Sequence, residues 1–168
     1  MRYFLVVLCL IFVMGCGSSG SGGSSDLSCA PDEADRVDPT VDLDGSWTLT
    51  LTETSSTCDY PPDWISCDLT MSVSGNNVTI SGNCVTDDGV TISTGNLSGI
   101  VSGDTLYWGA TMSASVDTYT ETGTVPCTAV DFTSSSSETF SVTVSVEWSD
   151  SGSGTSDTCT TSFSGVFN

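Results

Sequence analysis

From Gly45 onward, apolar residues fall at every second position, and no helical period competes with them. This alternation constrains the chain more than any other feature. A period of two puts one side of an extended strand against a core and the other against water. "WTLTLT" places Trp47, Leu49 and Leu51 on one face. "CDLTMSVS" does so with Cys67, Leu69, Met71 and Val73. "FSVTVSVEW" sets Phe140, Val142, Val144, Val146 and Trp148 against Ser141, Thr143, Ser145 and Glu147. "CTTSFSGVF" puts Phe163 and Phe167 on a common face. Thr and Ser fill the outer positions, where the Thr β-branch suits a pleated surface. The pattern predicts an all-β chain: an antiparallel up-and-down meander of about seven to eight strands. It is least regular over 110–137.

Two hairpins can be registered from the residues alone. "SVSGNNVTI" and "IVSGDTLYW" share a Ser-Gly-polar-polar-apolar turn. A two-residue loop at Gly75–Asn76 pairs Ser74 with Asn77, a connection common in hairpins. Val73 then faces Val78, Met71 faces Ile80, Leu69 faces Gly82 and Cys67 faces Cys84, all on the apolar side. A three-residue loop would mix the faces, which a half-buried sheet does not tolerate. The second hairpin, around Gly103–Asp104, pairs Val101 with Leu106, Gly99 with Trp108 and Leu97 with Ala110.

The chain has 8 cysteines. Setting aside Cys9 and Cys16 leaves Cys29, Cys58, Cys67, Cys84, Cys127 and Cys159, an even set that reads as a disulfide framework in an exported protein. The first register selects Cys67–Cys84, with Cys58–Cys67 as its competitor across the loop holding Pro61 and Pro62. If the first and last strands pair, Cys58 comes near Cys159, which leaves Cys29 for Cys127.

The N-terminal segment has a different chemistry. Met1-Arg2 gives a positive start, and Tyr3 to Met14 is apolar, too short for a spanning helix of about 20 residues. Val13-Met14-Gly15-Cys16 resembles the lipobox of bacterial lipoproteins. That resemblance implies a signal peptide over 1–15, cleavage before Cys16 and acylation of Cys16. One acyl chain holds a protein only marginally, and several hold it firmly. Gly17 to Ser25 contains only Gly and Ser, with no apolar surface to repay ordering. It reads as a tether with a reach of roughly 15–18 Å. Gly17 after the cysteine, rather than Asp, resembles the outer-membrane sorting pattern of enteric bacteria. The expected location is the cell envelope, with a lipid anchor in the outer membrane of a Gram-negative bacterium. Residues 16–44 are then anchor, tether and an acidic, Pro-containing linker, and 45–168 form the β-domain.

Charge excludes several functions. The chain has 2 basic and 21 acidic residues, no His, and a formal net charge of −19. Arg36 is its one basic residue after Cys16. Such a surface repels phosphate backbones, so no nucleic-acid partner is expected, and it repels anionic headgroups. Without His there is no imidazole base, and without Lys no amine nucleophile. The acids that pair near loops, Asp87–Asp88 and Asp59/Asp63, read as solvated turn formers. "TVDLDG" matches half of a calcium loop but has Thr40 at its first position and Leu51 where Glu belongs. With no His and no Cys-x-x-Cys spacing, zinc is not expected either. The chain reads as non-catalytic, with no cofactor and no metal.

Gly45-Ser46-Trp47 opens the first strand as the Gly-x-Trp of lipocalin-like barrels does. The meander to Asn168 is similar to small lipocalin-like domains on bacterial lipoproteins. The resemblance implies a barrel that takes a small apolar ligand, with Trp47, Leu49, Leu69, Met71, Trp108 and Trp148 lining its pocket, or one that serves structurally, with Trp47, Trp108 and Trp148 packing a filled core. Two features differ: no basic residue is available to pack over Trp47, and the pattern ends in a strand rather than a helix. The rival reading is a surface module that docks a partner protein or glycan through loops or an open edge. The residues identify no particular protein partner.

Overall fold

The computed structural model describes residues 26–59, 61–87, 89, 91–116, 118–133 and 136–168. The leader, Cys16, the Gly/Ser tract and Asp88 lie outside the described residues. One 3-10 turn, Glu33–Asp35, precedes eight strands: β1 Gly45–Ser56, β2 Trp64–Ser74, β3 Asn77–Thr86, β4 Thr91–Ser102, β5 Thr105–Val116, β6 Tyr119–Asp131, β7 Phe140–Asp150 and β8 Thr155–Phe167. Each pairs antiparallel with the next, and β8 returns to β1, closing the barrel. The up-and-down meander expected from the alternation is therefore present.

The β2–β3 register is the one read from the turn, from Ser74–Asn77 through Val73–Val78 to Cys67–Cys84. Gly75 and Gly103 supply the left-handed φ of +62° and +64° that these tight loops use. In the second hairpin, Val101–Leu106 and Gly99–Trp108 pair as expected, but the ladder stops there and Leu97 does not pair with Ala110. The reason is an irregularity at Gly109: Trp108 pairs with Thr128, but Ala110 pairs with Val125. Pro126, which has no N–H to give a ladder, sits inside this irregular stretch. Leu97 and Ala110 still face the core.

Buried residues concentrate toward the end that holds the β2–β3 and β4–β5 turns. Phe167 is their hub. Its ring lies 5.4 Å from Phe132, 5.8 Å from Phe140 and 6.3 Å from Trp108, and Phe132 meets Trp47 edge-on at 5.1 Å. Eight strands enclose just enough room for side chains to fill, and these rings fill it. Among the described residues, two buried polar side chains lie toward the opposite rim. Thr86 and Thr161 are buried, and Ser56 Oγ lies 2.8 Å from Thr161 Oγ1.

Three disulfides fix the wall: Cys67–Cys84 across β2 and β3, Cys58–Cys159 where β1 leaves the barrel beside β8, and Cys29–Cys127 from the lead-in to β6. The competing Cys58–Cys67 bond does not form.

The acidic lead-in, expected to be solvated, is held against the barrel. Asp26 N donates to Gly109 O at 3.3 Å, Gly103 N to Val37 O at 3.3 Å and Thr40 N to Gly103 O at 2.8 Å. Asn76 Nδ2 donates to Val37 O at 2.8 Å. Apolar residues among the acids explain the docking: Leu43 is 1% exposed and accepts from Trp47 Nε1 at 2.9 Å, and Val41 packs on the core. Ile100 points outward by its place in the alternation, yet it is buried in the hairpin that the lead-in crosses.

Close packing at the hub gives a stability prediction. A Cβ at Gly165 would lie 2.5 Å from Phe140 Cζ and 2.8 Å from Leu51 Cδ2, whereas one at Gly123 meets nothing within 4 Å. Gly165→Ala is expected to destabilise the domain by about 1–3 kcal/mol through overpacking. Gly123→Ala is expected to stay within about 0.5 kcal/mol. Urea unfolding midpoints of the two variants check both.

Candidate functional site

Five of the six residues expected to line a pocket come together. Trp47, Leu49, Leu69, Met71 and Trp108 belong to one buried cluster. They touch other core side chains rather than an open calyx: Trp47 meets Phe132, and Trp108 meets Phe167. Trp148 stands apart. It is half-buried near the far end of β7, where the facing residues of β8, Thr155–Thr158, are all exposed. Period-two alternation runs on to Trp148, but the core ends before it.

Among the described residues, one buried side-chain polar atom has no partner. Trp108 Nε1 is buried and makes no hydrogen bond. A buried indole N–H without an acceptor costs about 1–3 kcal/mol. It belongs to the last paired position of the β4–β5 ladder, opposite Gly99. Sequence reasoning identified Trp108 as inward-facing; the missing acceptor has no sequence signature.

Shallow depressions of about 310 Å³ lie at two places on the outer surface of the described residues. One lies across β6, β7 and β8, lined by Thr120, Thr122, Glu147, Trp148, Ser149, Ser156, Asp157 and Thr158. The other lies across β1 and β2, lined by Ser46, Trp47, Thr48, Asp68, Leu69 and Thr70. Both are dominated by hydroxyls and carboxylates. Among the described residues no three His, Cys, Asp or Glu side chains gather as a metal site.

Two large apolar side chains escape burial together. Trp64 is 41% and Val85 38% exposed, on adjacent strands at the rim opposite the aromatic hub. Reading along the strands missed this patch. Its signal was present: Trp64 is out of phase with Ile65 and Cys67, and Val85 is out of phase with Cys84 and Thr86.

Two carboxylates are tuned by their surroundings. Asp26 accepts from Ser28 N at 3.0 Å and from Cys127 N at 3.2 Å. The Ser28 bonds, more than that of Cys127, hold its carboxyl below the usual carboxylate range. Asp150 accepts from Thr118 Oγ1 at 2.6 Å, Ser153 Oγ at 2.9 Å and Gly152 N at 2.9 Å. Its carboxyl is lowered too, first by Thr118. The first ties the lead-in to β6; the second organises the β7–β8 turn. Neither faces a cleft where a proton would be passed.

The fold and its surface define a closed eight-stranded antiparallel barrel with an apolar plug. Comparison with family models, with curated proteins and with solved structures finds no match.

The Asp26 bonds give a pH prediction. A carboxyl lowered in the folded state adds stability above its ordinary value, and this is lost as pH falls through the folded value. In an NMR acid titration the Cys127 amide should shift with a midpoint below that of an ordinary Asp, and Asp26→Asn should abolish the step. A midpoint at or above the ordinary value would contradict the assigned bonds.

Proposed function

We propose that this chain is a non-catalytic surface module of the bacterial envelope. It is held in the outer membrane through acylated Cys16 and docks a partner on the outside of its barrel. The observation that carries the docking reading is the contrast between the two sides of the wall. The described core is occupied by its own rings around Phe167, while Trp64 and Val85 are left to solvent. The lipobox-like Val13-Met14-Gly15-Cys16 supports the anchor. The absence of His and Lys from the sequence supports a role without catalysis.

A second reading, a small apolar ligand inside the barrel, is favoured by one observation: the unpartnered Trp108 Nε1. Such a ligand would bring a hydrogen-bond acceptor to that atom.

Two measurements test these readings. In a Gram-negative host fed labelled palmitate, the wild-type chain should take up label and sediment with membranes, and Cys16→Ser should do neither. An unlabelled wild-type chain would end the anchor reading. Native mass spectrometry of protein from its own host should show a mass accounted for by polypeptide and acyl chains. An additional bound molecule that Trp108→Phe fails to retain would replace docking with the carrier reading.

A further inference from the structure

The uncovered apolar surface at the rim is organised in rows. Across β2 and β3, Ser66 stands opposite Val85 and Asp68 opposite Asn83. One step beyond, Asp87 N donates to Trp64 O at 3.2 Å. Trp64, Ser66 and Asp68 therefore share the outer face with Asp87, Val85 and Asn83, since residues two apart along a strand point the same way. Trp64 and Val85 are diagonal neighbours on that face, within reach of each other's side chains. The patch reads as three rows: Trp64 with Asp87, then Val85, then Asp68 with Asn83. Acid and indole stand at the rim, an apolar residue in the middle, and a second exposed acid below.

Among the described residues no cation neutralises these acids. Arg36 donates through Nε to Pro31 O within the lead-in, at 3.2 Å. The lead-in is fastened to the turn that holds Gly103, at the other end of the barrel. Among the described residues Asp87 Oδ2 accepts a long bond from Asp63 N, at 3.3 Å, which leaves the carboxylate capacity for a further donor.

We infer that this face docks an extended cationic segment of a partner protein, with basic residues two positions either side of an apolar one. The inference rests on the docking reading and names the partner's chemistry. An arginine in the first row lies on the Trp64 indole, the aromatic face best suited to a cation, while its planar fork reaches the Asp87 carboxylate. An apolar side chain in the second row covers Val85. A second basic residue in the third row meets Asp68. The spacing follows from strand geometry, in which same-face residues repeat about every 6.6 Å on both partners. The net charge of −19 adds long-range attraction for such a segment and repels anionic ones. A neutral saccharide would also stack on Trp64, but it would gain nothing from that field.

The test uses the full mature chain and an acetylated, amidated peptide, Arg-Ser-Leu-Ser-Arg, with the Trp64 indole N–H signal in NMR locating the contact in the wild type and isothermal titration calorimetry giving the affinity of every variant. The peptide should move the Trp64 signal. Trp64→Ala should weaken binding about three- to tenfold. Asp68→Asn should weaken it and flatten its salt dependence, and Glu147→Gln, on the outer face of β7 across the barrel, should change neither. Because both Trp64 and Asp68 are exposed, their variants are expected to keep the wild-type unfolding midpoint. Equal binding by wild type and Trp64→Ala would reduce the effect to bulk charge and overturn the inference. So would an equal response to the Gln-Ser-Leu-Ser-Gln peptide. Maltoheptaose shifting Trp64 where the arginine peptide does not would also overturn it, while leaving the docking reading in place. If no probe moves Trp64 and native mass spectrometry recovers a bound apolar molecule, both readings fall.

Discussion

The pairing of the last strand with the first sustains the rest of this structure. Thr48 and Asn168 exchange both backbone hydrogen bonds, at 2.8 and 2.9 Å, and the ladder continues from Leu49–Phe167 to Ser56–Thr161. Closure removes the two exposed edges that an open eight-stranded meander would present. It also delivers Phe167 to the middle of the aromatic cluster, and it brings Cys58 alongside Cys159. Without it, Phe140 of β7 and Phe167 of β8 lose the β1 side of the core they pack on.

The interior is graded along the barrel axis. Among the described residues, the rings gather at the end near the β2–β3 and β4–β5 turns, while the buried hydroxyls Thr86 and Thr161 lie toward the other. A small core of this kind gains from covalent support, and each disulfide contributes roughly 2–4 kcal/mol. The bonds are spread over the wall, one between neighbouring strands, one at the closure and one outside it. That arrangement suits a surface with many like charges and almost no cations, where ion pairs have little to offer and self-repulsion opposes compactness.

Much of the fold was legible in the residues, because strand alternation and turn chemistry agree. Ser-Gly-Asn-Asn set the β2–β3 register, and that register placed Cys67 opposite Cys84. Less legible were features that depend on what covers a face. Ile100 looks like a mis-phased outward residue until the lead-in is seen to cross its hairpin. The lead-in in turn looks like a linker, because Val41 and Leu43 are too few among acids to set a period. Of the candidate site, the inward-facing residues were readable from their parity, but Trp148 was not separable from them. Alternation gives a face, and it says nothing of where along the barrel the packing stops. The Trp64–Val85 patch crosses two strands, so neither strand alone discloses it.

The bond between Cys29 and Cys127 has a mechanical consequence. Tension arriving from the N-terminal side meets Cys29 before any strand, and passes directly to β6, 98 residues along the chain. The polypeptide between them is shielded from the load, so β1 cannot be peeled from β2 and β8 by traction at that terminus. Traction at that terminus is therefore borne by β6 and its ladders with β5 and β7 before it reaches the strands that open the chain.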